Sequence, residues 1–275
     1  MKKAAILYDF DKTLCTKAMQ EYSLIPSLGY SNPNDFWKEV SDMAEQSHMD
    51  NILAYLYLLK RKYEEQGSAL QKKDFEALGK TIVLYPGVKT WFRRINAYGK
   101  SLGLDVEHYV ISSGMTEIIE QTSIADEFTS IFACSYLYDE DGNACWPSLV
   151  VNYTTKTQYI FRINKQVLEV SNDSDLNAYT TMDKRPIPLT RMIYIADGLT
   201  DVPCMKLVKE HGGKSIAVYS PESCETAKIL IRDQRADYMS PADYEEGSDM
   251  EKLVRKILDH MHADAELEDV EGKIR

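Results

Sequence analysis

No stretch of the chain approaches 18 uninterrupted apolar residues, so a helix spanning a membrane is not expected. Cys-x-x-Cys pairs are missing too. Cys15, Cys134, Cys145, Cys204 and Cys224 are scattered, and no histidine stands at a spacing suited to zinc. Cys134 and Cys145 flank a hairpin pattern and would bridge in an oxidising compartment. The odd count and the lack of a secretory signal instead predict free thiols in the cytoplasm. The start, Met1-Lys2-Lys3 followed by an apolar run, begins like an export leader, but Asp9 and Asp11 cut that run short. Positive charge is in deficit, with 32 Lys and Arg against 43 Asp and Glu, a formal net charge of -11. Such a surface repels polyanions, which argues against nucleic acid or an anionic membrane as partner and favours a small molecule. A phosphorylated metabolite would then need a local pocket of Lys, backbone amides and metal. No internal repeat is present, and nothing in the sequence specifies an oligomeric state.

What remains is an ordinary globular composition over 275 residues, enough for one α/β core with a sizeable insert. Short apolar runs at residues 4–8, 109–111, 192–196 and 215–218 alternate with helical patterns, which predicts a doubly wound, Rossmann-like, mostly parallel sheet. Residues 14–85 carry almost no strand signal. Ile52, Leu56, Leu59 and Tyr63 line one face of a helix that starts near Asp50 and ends at Gly67-Ser68. Pro33 precedes a second helical stretch with Phe36, Val40 and Met43, and residues 71–78 form a third. Pro86-Gly87 marks the return to the core. The expected division is therefore a core of residues 1–13 and 86–264, a helical insert of residues 14–85, and a charged flexible tail of residues 265–275. Asp141-Gly142 turns a hairpin expected to lie over the sheet edge, and residues 171–188 read as an irregular loop.

The strongest local signal is Asp9-Phe10-Asp11-Lys12-Thr13, directly after the first strand. Alone, it reads equally as a solvated loop with a helix N-cap. Three further matches follow in order. Ile111-Ser112-Ser113-Gly114 follows a second strand and opens a helix, Lys156 begins a later helix, and Ala196-Asp197-Gly198-Leu199-Thr200-Asp201 follows a third strand. With these four motifs the sequence resembles the haloacid dehalogenase superfamily over about residues 4–201. The helical insert resembles the cap of its phosphoserine-phosphatase-like branch. The resemblance implies an all-α cap inserted after the first strand and a magnesium-dependent phosphatase that hydrolyses a small phosphomonoester through an aspartyl-phosphate.

The residue types make chemical sense of that expectation. A phosphoryl group in transit is held by charge and position, and a carboxylate can approach it only if cations intervene. Hard oxygen donors favour Mg2+. Asp9 would attack and also ligate the metal; Asp11, two residues on, would protonate the leaving alcohol and then activate water. By resemblance the Asp11 backbone carbonyl and the Asp197 side chain ligate the metal, with Asp201 supporting the metal site. Ser112 and Lys156 would hold phosphoryl oxygens, with Thr13 bracing the loop. Each has a plainer reading: Ser112 as an N-cap, Lys156 as a solvated charge, Thr13 as a helix start. Lys165 is the rival lysine. The Asp11 acid separates the chain from the dehalogenase branch, because halide leaves without a proton. The family's amino-acid grip, a cap acid and an arginine, falls loosely on Glu21 and Arg61. The rival functions are a phosphotransferase or mutase with the same intermediate, and a binding module that keeps only the fold.

Overall fold

Residues 4–8 are all buried, as in a strand covered on both faces, and they form the centre of the sheet. The computed structural model describes residues 1–274, apart from the side chains of residues 183, 269 and 271–274. Seven strands, β1 (Lys2–Tyr8), β2 (Leu104–Met115), β3 (Ser130–Tyr138), β4 (Ala144–Leu149), β5 (Met192–Ala196), β6 (Lys214–Tyr219) and β7 (Tyr238–Pro241), lie in the order β4-β3-β2-β1-β5-β6-β7. Every pairing is parallel except β3 with β4. This is the doubly wound α/β fold expected from the sequence. The chain leaves β1 for β2 on one side and returns to β5 on the other, so a crevice opens at the C-terminal ends of these three strands.

Between β1 and the return come α1 (Leu24–Ser27), α2 (Pro33–Ser47), α3 (Asn51–Glu65) and α4 (Lys72–Gly79). Their boundaries have local causes. Asn32 caps α2 by accepting the Asn34 N–H at 3.1 Å, with Pro33 in the first turn. Asp50 Oδ1 accepts the N–H groups of Ile52 and Leu53, and Gly67 turns the chain after α3 with φ of 75°. The remaining helices are α5 (Val88–Ser101), α6 (Thr116–Ile119), α7 (Lys156–Lys165), α8 (Asp173–Asn177), α9 (Val202–Glu210), α10 (Cys224–Arg232) and α11 (Asp249–Ile274).

The inserted helices are tied to the sheet twice. The two connecting segments pair with each other, Thr16 N–H to Val83 O and Tyr85 N–H to Leu14 O, both at 3.0 Å. At the far end, Lys72 N–H reaches Gly142 O at 3.0 Å, Ala144 N–H reaches Leu70 O at 2.8 Å, and the Gln71 amide donates to Asn143 Oδ1 at 2.9 Å.

Several expectations are corrected. The hairpin turned at Asp141-Gly142 does not lie over the sheet edge; it is that edge, because β3 joins β2 in parallel and β4 bounds the sheet. The helix expected to open at Gly114 starts at Thr116, since β2 continues through an irregular register to pair Met115 with Cys134. Residues 171–188 hold the short α8, capped by Asn172. Of the tail expected at 265–275, residue 275 lies outside the described residues. The stretch before it continues α11, whose Glu268 pairs with Arg191 at 2.9 Å. All five cysteines are free, and no described helix is long and apolar enough to cross a membrane.

Candidate active site

Asp9 is the first residue past β1, where its N–H donates to Ile195 O at 3.0 Å and so locks the end of β1 to β5. The chain then curls around the Phe10 carbonyl, which accepts the N–H of Leu14 at 2.9 Å and those of Thr13 and Cys15 at 3.3 Å. Lys12 takes the left-handed conformation, φ 55°, that this tight turn requires. The turn presents Asp9 and Asp11 on the crevice side. On β5 the run Met192–Ala196 is wholly buried and delivers Asp197 alongside, and Asp201 ends a single 3-10 turn, Leu199–Asp201, just before α9 begins at Val202.

Lys156, at the first turn of α7, is only 1% exposed. Its Nζ donates to Asp9 Oδ1 at 2.9 Å and to Asp201 Oδ1 at 2.7 Å. Asp201 is fully buried and also accepts from the Tyr194 hydroxyl at 2.6 Å and, at Oδ2, from Thr200 Oγ1 at 2.9 Å. Burial alone would discharge the lysine, but the two carboxylates hold its pKa above the ordinary value. Carboxylate oxygens of Asp9, Asp197 and Asp201 all lie within 4.8 Å of one another.

Lys156 is bonded to Asp9 and Asp201, and Lys12 adds its charge near Asp11 and Asp197, yet burial of so many acids still outweighs these cations. Burial pushes the Asp9 carboxyl well above its usual range against the pull of Lys156, with Asp201, Asp197 and Asp11 adding to the rise. Burial likewise lifts Asp197 to about 6, Asp201 adding to it, and Asp11 to about 7. The Met19 N–H, 2.8 Å from Asp11 Oδ1, works in the opposite direction. Ser112 is buried and its Oγ accepts the Gly114 N–H at 3.0 Å, which leaves the hydroxyl proton to be given elsewhere.

Asp9, Asp201 and Lys156 thus share direct hydrogen bonds, and Asp197 stands in the same carboxylate group. Thr13 is buried with its Oγ1 unpartnered among the described residues, while its carbonyl accepts the Tyr244 hydroxyl at 2.8 Å. Lys165 is elsewhere, donating to the carbonyls of Leu176 and Ala178. Glu21 accepts the Trp37 indole N–H at 3.3 Å, and Arg61 pairs with Glu65 beside an open groove of about 650 Å³ between α2 and α3. Neither touches Asp9 or Asp11. Tyr194, Thr200 and Met19 were not singled out from the sequence. Tyr194 reads there as one more apolar strand residue, and only its position opposite a helix-start acid would have marked it.

Comparison with known proteins gives the family and the fold. A family model for haloacid dehalogenase-like hydrolases matches residues 6–206. An uncharacterized protein of Borreliella burgdorferi is 26% identical over 285 residues, covering 93% of this chain and 95% of that one. Among solved structures, a HAD family hydrolase of Salmonella enterica serovar Typhi superposes with a TM-score of 0.58 at 16% identity. It covers 86% of this chain, but this chain spans only 66% of its length. A phosphoserine phosphatase carrying an analogue of its phospho-aspartyl intermediate gives a TM-score of 0.56 at 16% identity, covering 93% of this chain and 99% of that one. At such identities these structures share the fold.

Proposed function

Because the chain belongs to the haloacid dehalogenase-like hydrolases, we propose that it is a magnesium-dependent phosphatase that hydrolyses a small phosphomonoester through an aspartyl-phosphate on Asp9. The observation that carries the reading is the buried bridge from Asp9 through Lys156 to Asp201, set within a group of carboxylates that one lysine does not neutralise. Lys156 occupies Asp9 Oδ1, so Oδ2 is the oxygen left to attack. As the bond from Asp9 to phosphorus forms, the bond to the leaving alcohol breaks, and Asp11 gives that oxygen a proton. In the second half Asp11 takes a proton from water, whose oxygen displaces Asp9 from phosphorus. A carboxyl lifted to about 7 suits both tasks near neutral pH. Ser112 would donate its free hydroxyl proton to a phosphoryl oxygen, and Lys156 would balance charge on Asp9 and the phosphoryl group.

The donor set fits a hard divalent cation: carboxylates of Asp9 and Asp197 with raised pKa values, with no second lysine or arginine hydrogen-bonded to them among the described residues. Bound there, Mg2+ would supply the positive charge that lets an anionic phosphoryl group approach a carboxylate. Both oxygens of Asp201 are already engaged, so its main role is to hold Lys156. We assign residues 14–85 as a cap and residues 1–13 and 86–264 as the core it covers. Phosphate release from an aryl phosphate is the test, with Mg2+ and with chelator. Release should need the metal and fall at least about a thousandfold in Asp9→Asn. Release unchanged in Asp9→Asn would refute the nucleophile. Release that appears only when a second alcohol is added would favour a phosphotransferase.

A further inference from the structure

The first turn after the nucleophile loop closes directly over the site. Met19 N–H is bonded to Asp11, and Met19 Sδ accepts the Met115 N–H at 3.1 Å. Gly114 makes room for it, since a Cβ there would stand 2.1 Å from Met19 Cε. The next residue, Gln20, is 2% exposed, and its amide nitrogen donates to the Tyr55 hydroxyl at 3.2 Å. The other end of that amide, Oε1, has no partner among the described residues. Exchanging the amide oxygen and nitrogen leaves one end free all the same. Tyr55 is 1% exposed and lies near enough to Asp11 to feel its charge.

An unpartnered buried amide lowers stability, and it is tolerated where a ligand supplies the missing bond. Here it stands one residue from the backbone N–H that holds Asp11, the residue that would protonate the leaving oxygen. The wall is also uncharged. Every lysine and arginine of α2, α3 and α4 is exposed or paired with an acid, as Lys60 is with Glu64 and Lys62 with Glu39. A carboxylate on the leaving group would find no buried, unpaired cation on these three helices among the described residues, and Lys12, whose charge reaches Asp11, is exposed and on the nucleophile turn instead. An ammonium would find Asp11, which is already committed to the leaving oxygen.

We infer that Gln20 and Tyr55 form the leaving-group subsite, and that it takes a neutral, hydroxylated alcohol, the phosphate ester of a polyol or sugar, rather than an amino-acid ester. The assignment rests on the phosphatase reading above. A substrate hydroxyl donates to the free Gln20 oxygen, and the Tyr55 hydroxyl proton is available to a second one.

The test compares kcat/KM for an aryl phosphate, glycerol 3-phosphate and phosphoserine in wild type, Gln20→Leu and Tyr55→Phe, with Mg2+ present. Wild type should favour the glycerol ester over phosphoserine by tenfold or more, as about one hydrogen-bonded group decides. Gln20→Leu should lower kcat/KM for glycerol phosphate about tenfold more than for the aryl ester, chiefly through KM. A purely structural glutamine would lower both alike and depress Tm, and that result overturns the subsite. Tyr55→Phe gives the same comparison should Gln20→Leu lose its circular dichroism. Preference for phosphoserine with aryl phosphate still cleaved refutes the subsite alone. No cleavage of any ester by folded wild type refutes the phosphatase reading and the subsite with it.

Discussion

At the scale of single residues, the polar groups behind β1 matter as much as those in front of it. The Trp91 indole donates to the Tyr8 hydroxyl at 2.8 Å, Tyr8 lies 3.0 Å from His108 Nδ1, and His108 Nε2 lies 2.8 Å from Asn96 Oδ1. One tautomer satisfies the whole chain: Tyr8 donates to Nδ1 and Nε2–H donates to Asn96. Burial lowers the His108 pKa from 6.5 to about 3. The unfolded chain therefore binds a proton that the folded chain refuses between those values, and stability is lost as pH falls through that window. His108→Gln should remove up to about 2 kcal/mol of the loss between neutral pH and pH 4.5, read from urea unfolding of both proteins. Lys156 is the other buried case. Lys156→Met leaves Asp9 and Asp201 without their cation and should cost about 3 kcal/mol in chelator, along with nearly all phosphate release. A variant as stable and active as wild type would show the bridge to be incidental. Asp9, Asp11, Asp197 and Lys156 were legible in the sequence because strand ends and helix starts place them. Gln20 and Tyr194 were not, since a buried glutamine and a strand tyrosine carry no local mark of what they face.

At the scale of elements, the nucleophile loop depends on a segment far along the chain. Tyr244 holds the Thr13 carbonyl with its hydroxyl and the Pro86 carbonyl with its N–H. Gly87 packs under this segment with φ of 78°, where a Cβ would lie 2.2 Å from the Tyr244 backbone. Gly142, at the hairpin tip, has nearly the same φ, 79°, but open space around it. The pair separates backbone strain from collision. Gly142→Ala should cost about 1 kcal/mol, and Gly87→Ala about 3 kcal/mol or more with loss of activity. Equal thermal shifts for the two would mean that the Tyr244 segment yields easily. Pro86-Gly87 was readable as a chain return, and Asp50 as a helix start, because caps and turns are local. The continuation of β2 to Met115 was not, since its pairing with Cys134 is a contact between distant segments.

For the whole molecule, the gathered buried carboxylates are a liability while their charge is unbalanced. The folded pKa values of Asp11 and Asp197, about 7 and 6, lie above the ordinary 3.8. Between about pH 4 and pH 7 the folded chain thus keeps protons the unfolded chain has released, and in chelator stability should fall as pH rises across this range. Mg2+ should raise Tm most at the upper end, by an amount that grows with its concentration. A Tm indifferent to Mg2+ at pH 7.5 would argue against a metal site. The sheet order follows from alternating strands and helices. The second attachment of the inserted helices, through residues 70–72, has no sequence signature. That attachment has a colloidal consequence. β4 is one of the two margins of the sheet, with Trp146 71% exposed, and such a margin can recruit another chain. By taking the Ala144 N–H, Leu70 blunts the start of this margin, as Pro147 does further along by having no N–H to offer. The inserted helices thus also help keep the protein from aggregating.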